Sequence, residues 1–443
     1  MYFLLVKVPK VALKRIQLRE KILKQFIKTT AKILAAGAFL GMPSASFASP
    51  SLSGELVIVT GMSNPAPRAV IEDMVDRFGK MHPDLDIKLT INVRDTMIEG
   101  LRSITPDNAP DIVEWYAANR MAPFVKNGLF EDISDVWAED EFVKNLASTK
   151  GALSIDGKQY GVPYTYYQWG IYYRQDIFNE LGLSEPTNWA EEKANCAKIV
   201  ASGRACYTIG TKWLWTAAGW FDYINMRTNG FDFHMDLAAG KASWTDDRVR
   251  QAFANWRELI DMGAFIKDHQ TYSWQEALPF IVNGDAASLL IGNFAVSPLR
   301  EAGLDDSKLD FYQFVPINSN VALAEDAPTD TLHITKYAKN KENAKEFLRF
   351  VVSAENQTII NSGKGLGQLP VNAAASIDDD KFLNEGFAML SSNSPGGVAQ
   401  FFDRDYPAEM NSVAMEGIQE FMVFPDNLND ILERLEAHRK DVY

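Results

Sequence analysis

Residues 110–120 read PDIVEWYAANR. The apolar pair Ile112 and Val113 runs into Trp115 and Tyr116, two large rings with polar tips, and then into Asn119 and Arg120. A buried strand ordinarily ends in turn residues. Rings in that place present flat apolar faces that something has to cover, with an amide and a guanidinium beside them to direct hydrogen bonds. The expected chemistry is recognition, and the chain holds neither G-x-S-x-G nor H-E-x-x-H to mark a catalytic one.

Other chemistry-bearing groups read more plainly. GKGLGQLP (363–370) has the glycines of a nucleotide loop but follows a helical pattern and lacks the dinucleotide spacing. FFDRDYP (401–407) gathers two carboxylates around Arg404 and is expected to be a solvated surface cluster, with a loop overhanging a cleft as the alternative. Cys196 and Cys206 are the two cysteines. Close together in an exported chain, they are expected to form a disulfide rather than a metal pair or a catalytic thiol.

The elements that must position these residues follow from periodicity. ELVIVT is a compact strand, and RAVIEDMVDRFGKMHP repeats Val70, Ile71, Met74, Val75 and Phe78 at helical spacing up to Pro83. LDIKLTINV alternates strictly, and a second helical stretch around Met97–Ile104 leads to the strand that ends at Trp115. The order βαβαβ predicts a parallel sheet whose carboxyl ends face a crevice. Further on, NWAEEKANCAKIV, WTAAGWFDYINMRTNG and DDRVRQAFANWRELIDMG read as helices. RACYTIG, LDFYQFVP and TLHI read as strands, and a long amphipathic helix begins near Lys341. Trp137, Trp189 and Trp256 lie in helix-like or loop-packing contexts and are expected in the core. No repeat or low-complexity tether separates the halves, so ordered segments must cross between domains.

The N-terminus carries nine Lys or Arg before residue 33 against one acid, Glu20, followed by ILAAGAFLGM and PSASFAS. This is the pattern of a secretory signal, residues 1–48, cut after Ala48 with Ser46 and Ala48 at the inspected positions. Its apolar run is too short for a membrane span. The whole chain has a net charge of −14, and losing this basic segment makes the remainder more acidic still. Nucleic acid and anionic lipid are therefore poor partners. The length left after the cut is enough for two domains.

Six segments then stand in a telling order: ELVIVT, FGKMHPDLDIKL, APDIVEWYAANRMAPFVKNGLFEDISD, GKQYGVPYTYYQWGIYYRQDIFNELGL, FIVNGDAASLLIGN and NKENAKEFLRFVVSAENQTIINSGKGLGQLPVN. From about Glu55 onward the chain resembles the extracellular solute-binding proteins of bacterial ABC importers, in the large sugar-binding group, family 1. The resemblance implies an α/β, two-lobed periplasmic binding protein fold, with hinge-connected lobes and a central cleft. It divides the chain into 49–164 and 329–370 in the first lobe and 165–328 and 371–443 in the second, with crossings near 162–167, 328–331 and 369–372. It also implies a monomer in the periplasm that hands a carbohydrate or sugar derivative to an ABC permease in the inner membrane, without catalysis, cofactor or metal.

Under that resemblance Trp115 and Tyr116 become cleft rings covered by a sugar face, with Asn119 beside them. Ser63 and Asn64 stand at a helix start whose free N–H groups accept a hydroxyl. Tyr167 and Gln168 lie at the first crossing, Asp330 at the second, and Lys364 and Gln368 near the third. Trp213, Trp215 and Trp274 offer further rings, and Asn293 and Phe294 sit at a strand end where the family presents an aromatic. Maltodextrin-type relatives place an acid and an arginine shortly after the tryptophan and an acid at the first crossing. Here Ala118, Asn119 and Arg120 follow Trp115, and Tyr167 holds the crossing, which argues against long α-glucans. Two rivals stay open: a secreted carbohydrate-active enzyme, needing two carboxylates astride the scissile bond, and the same fold binding a polyamine.

Overall fold

The computed structural model describes residues 52–377, 380–392 and 396–443. The expected signal segment lies outside them. The βαβαβ reading gives three parallel strands, Gly54–Thr60, Leu85–Ile91 and Ile112–Tyr116. Thr329–Ile334 joins antiparallel to Ile112–Tyr116, and Val162–Tyr166 closes that edge, making a five-stranded sheet. The helix Pro65–Met81 covers it with Val70, Ile71, Met74 and Phe78, the apolar face anticipated from their spacing.

A second, four-stranded sheet runs Leu309–Tyr312, Trp169–Arg174, Ala286–Gly292, Ala205–Tyr207. Its helices Trp215–Asn229, Asp247–Asp261 and Ala408–Val423 share one aromatic-rich core. Gly230, at φ 86°, ends the first of them, a conformation that glycine takes without a Cβ clash. Trp189 and Trp256 lie buried in this core, and Trp137 in that of the first lobe. Helix Trp189–Ala201 is tied to strand Ala205–Tyr207 by the Cys196–Cys206 disulfide. The long helix expected after Lys341 breaks at Ser353, whose Oγ caps a second helix, Ala354–Ile360.

The chain passes from the first sheet to the second through Tyr167 and Gln168, which sit between strands Val162–Tyr166 and Trp169–Arg174. It returns before Thr329. In the last passage Leu369 bridges to Tyr166. Val371 is in the first lobe's core, and Asn372 Nδ2 donates to Val352 O at 2.8 Å. Phe382, by contrast, already packs with the second lobe.

Trp115 departs from the sequence reading. It is 4% exposed, its Nε1 donates to Arg120 O at 2.9 Å, and Phe124 meets it edge-on at 5.5 Å. The ring is anchored in the first lobe's core and, though it lines the cavity, leaves it little open surface, because chain neighbours supply most of the cover before any ligand arrives. Trp115→Ala should therefore lower the stability of the ligand-free protein by roughly 3–5 kcal/mol, the cost of truncating a buried Trp. Denaturant unfolding measures it, and an unchanged midpoint would return Trp115 to the cleft.

Glu192 is one of the buried acids of the second lobe. It accepts hydrogen bonds from the hydroxyls of Tyr207 and Tyr312, and no ion pair reaches it among the described residues. Burial pushes its carboxyl up to about 7, against the pull of the two hydroxyls. The folded state then keeps a proton that the unfolded chain releases near 4.5, so stability is full below that pH and falls as pH rises toward 7. Glu192→Gln should match wild type at pH 4 and exceed it at pH 8 by up to about 3 kcal/mol. The difference between their unfolding curves isolates the effect from the buried histidines His234 and His333, which slope the other way. A parallel pair of curves would refute it.

Candidate functional site

Three strand ends of the first sheet open onto one cavity of about 370 Å³. Ser63 to Pro67 follow the first strand, Val93 and Arg94 the second, and Tyr116 and Arg120 the third. This is the carboxyl edge where α/β sheets hold ligands. The opposite wall comes from the second lobe.

That wall is aromatic. Trp169 stacks on Phe401 at 4.8 Å and meets Trp215 edge-on at 5.9 Å. Phe294 stands between Tyr167 at 5.2 Å and Trp274 at 5.3 Å. Two glycines make room for these rings. A Cβ on Gly292 would sit 2.5 Å from the Phe294 ring, and one on Gly219 2.9 Å from Trp169. Trp213, 46% exposed, projects at the rim. A tight turn links it to Trp215, with Trp215 N–H donating to Trp213 O at 2.8 Å across Leu214 at φ 67°.

The floor on the first-lobe side is ionic. Glu114 is buried and accepts from Arg94, from Tyr164 at 2.6 Å, from Thr60 at 2.5 Å and from Gly61 N–H at 2.7 Å. Arg404 reaches over from the second lobe and donates to Thr329 O at 2.7 Å, Asp330 at 2.9 Å and Tyr167 at 2.9 Å. Burial opposes charge on both arginines. Glu114 with its neighbours still holds Arg94 well above its usual range, and Tyr167, Asp330 and Asp403 do so for Arg404. Tyr116 lies among three guanidiniums, with Arg404 at 4.7 Å, Arg120 at 5.1 Å and Arg94 at 5.7 Å from its ring centre. Arginines thus supply much of the cover that the Trp115–Tyr116 rings require.

Of the residues singled out from sequence, Ser63, Asn64, Trp115, Tyr116, Tyr167, Trp213, Trp215, Trp274, Phe294, Asp330 and Gln368 line the cavity. Four others do not. Asn119 Nδ2 donates to Asp405 O at 2.8 Å and clips two loops together. Gln168 is fully buried behind the wall, bonded to Phe382 O. Asn293 Nδ2 donates to Gly367 O at 2.9 Å, joining the second lobe to the last crossing. Lys364 is exposed and outside the lining. The helix start at Asn64 offers fewer free donors than expected, because Pro65 and Pro67 remove two of its N–H groups and Arg68 N–H is spent on Asn64 O.

The correction of most consequence concerns FFDRDYP. It is no solvated cluster: Arg404 is 4% exposed and Phe401 and Asp403 line the cavity. Arg94, Tyr164 and Trp169 were missed as well. Arg94 follows a strand end and was open to inference, as was Trp169, which opens a strand directly after the first crossing. Nothing local marks Arg404, since its partners lie 74 and 237 residues away.

Known proteins bear on this geometry. The family of bacterial extracellular solute-binding proteins matches residues 63–358. An ABC transporter extracellular-binding protein of Pyrococcus horikoshii is 23% identical over 375 residues, 82% of either chain. A multiple sugar-binding protein of Streptococcus mutans is 21% identical over 294 residues, 65% of this chain and 68% of its own. Among solved structures the bacterial solute receptor AcbH, described as having an exclusive preference for β-D-galactopyranose, superposes with a TM-score of 0.79. It is 24% identical and covers 88% of this chain and 99% of its own. A family match over more than half the length, on a two-lobed fold with its cavity between the lobes, makes the chain a member of the bacterial extracellular solute-binding proteins.

Proposed function

We propose that the protein captures a small neutral carbohydrate in this cleft, in the periplasm, and delivers it to the permease of an ABC importer. The observation that carries the reading is the division of one cavity into an aromatic wall and a hydrogen-bonding floor. A pyranose has the matching surfaces, an apolar C–H face and a rim of hydroxyls. The sugar-binding relatives support the same class. A volume of about 370 Å³ lies at the small end of ligand cavities and suits one or two rings.

The charges favour a neutral solute. Arg94, Arg120 and Arg404 stand against Glu114, Asp330 and Asp403, each acid within 4 Å of an arginine. A polyamine would need several carboxylates to spare, and of the acids lining the cavity Glu301 alone stands without an arginine among the described ion pairs. A hydrolase would need two carboxyls flanking a bond, whereas Glu114 has its oxygens occupied and Asp330 is bonded to Arg404. We place the hinge of closure at the passages through Tyr167–Gln168, before Thr329, and after Asn372, where the chain changes sheets.

Thermal shift against neutral mono- and disaccharides, uronic acids and spermidine tests the class, with calorimetry on any hit. A neutral sugar should raise the melting temperature. Trp215→Ala should then weaken that sugar about 30-fold, the loss of roughly 2 kcal/mol expected for an aromatic anchor. A response confined to spermidine or to uronic acids would overturn the reading.

A further inference from the structure

Two cleft groups are not accounted for by the ionic floor. Arg120 comes from the first lobe and Asp403 from the second, and they face each other with Nη1 and Oδ2 3.7 Å apart, beyond hydrogen-bond range. Among the described residues the Arg120 guanidinium makes no hydrogen bond. Its Nε is buried without a partner, and the group rests on the faces of Trp115 and Tyr116, 5.1 Å from each ring centre. Asp403 has Arg404 Nε at 3.9 Å as its other cation, and among the described residues no donor bonds its carboxylate. Both side chains line the cavity and are mostly covered, at 24% and 17% exposure. Covered polar groups are nearly always hydrogen-bonded. Arg94, Glu114 and Asp330 obey that rule with protein partners, and Arg404 does so through both of its Nη atoms with only Nε left over, whereas no side-chain hydrogen bond reaches either member of this pair among the described residues.

The backbone marks the same two loops, together with the Trp213–Trp215 turn on the cavity wall. Among the described residues five non-glycines have positive φ: Ala118, Asp156, Leu214, Asp268 and Phe401. Aspartate enters that region with local help from its own side chain, but alanine and phenylalanine have none. Ala118, at φ 53°, lies two residues before Arg120, and Phe401, at φ 134°, two residues before Asp403. Unfavourable backbone of this kind persists where the surroundings hold it, and it gathers at ligand clamps. Here the Asp405 carboxylate holds the turn by accepting from Gln400 and Phe401 N–H at 2.9 and 3.1 Å, and Asn119 ties the two loops together.

We infer that Arg120 and Asp403 form a specificity-determining pair that reads two adjacent hydroxyls of the solute, one hydroxyl donating to Asp403 and its neighbour accepting from Arg120. The inference rests on the carbohydrate reading and adds which feature of the sugar is selected. A ligand lacking either hydroxyl leaves one charged group unbonded in a covered place. Because each lobe supplies one member, the diol also bridges the lobes.

The test uses the tightest neutral sugar from the thermal-shift panel and its monodeoxy derivatives, titrated by calorimetry into wild type, Asp403→Asn and Arg120→Gln. In wild type two adjacent deoxy positions should each lose about 10- to 100-fold in affinity, the range for hydrogen bonds to charged groups. At one of them the penalty should shrink to under about threefold in Asp403→Asn, and at the other in Arg120→Gln. A merely structural role would weaken every derivative alike and would not erase a single penalty. Should a variant fail to fold, as its ligand-free melting curve would reveal, Asp403→Ser or Arg120→Lys carries the same comparison. Penalties that persist unchanged in the variants, or that fall on non-adjacent positions, overturn the pair while leaving the carbohydrate reading intact. Failure of every neutral sugar to bind wild type removes that reading and this inference with it.

Discussion

The cleft depends on one buried cation. Arg404 leaves the second lobe and spends its donors on the first lobe's Thr329 carbonyl and Asp330 and on Tyr167 at the crossing. Breaking such a buried pair costs more than the pair contributes net, because the partner left behind keeps its desolvated charge. The arginine therefore fixes geometry more than it adds stability. It sets the approach of the lobes beside the crossing and orients Asp330 toward Arg94. It also holds in place the loop that brings Phe401 and Asp403 to the cavity.

Around that anchor the two lobes contribute different chemistry to one space. The first lobe ends its parallel strands in polar and charged groups, since strand termini expose backbone and turn residues at the crevice. The second lobe presents rings that continue its own core, so Trp169 and Phe401 are held by the same packing that folds the lobe. A wall built this way is rigid before ligand arrives, and little side-chain entropy is lost on binding. Solute capture by this family uses closure of lobes around a cleft, and here the loops of residues 118–120 and 401–405 already touch across it through Asn119.

Much of the fold was legible in residue order because its signals are local. Alternation marked Leu85–Ile91, helical spacing marked Pro65–Met81, and Gly230 marked a helix end. The candidate site was legible only where a residue's place on an element decided its fate. Phe294 follows a strand end and Tyr116 closes one, and both line the cavity, as their positions imply. Asn293 and Gln168 sit beside such residues yet turn away, Asn293 opening the 3-10 turn Asn293–Ala295 and Gln168 lying between two strands, so a neighbour's place does not fix a side chain's direction. Trp115 shows the same limit, since a large ring at a strand end serves as core once Phe124 and Arg120 are in place to cover it.

The sequence by itself determined the strand–helix alternation, the acidic character of the chain, the pairing of Cys196 with Cys206 and the class of receptor. Each of these follows from neighbours along the chain or from the order of six short segments. Only the tertiary structure decided that Arg404 is buried in the cleft rather than solvated, and that Arg120 and Asp403 face each other across 283 residues of chain. The physical reason is that the energy of a charge depends on what surrounds it in space. The same FFDRDYP would sit comfortably in water, and it becomes a cleft element only because Asp330, Tyr167 and Thr329 arrive from elsewhere to bond it.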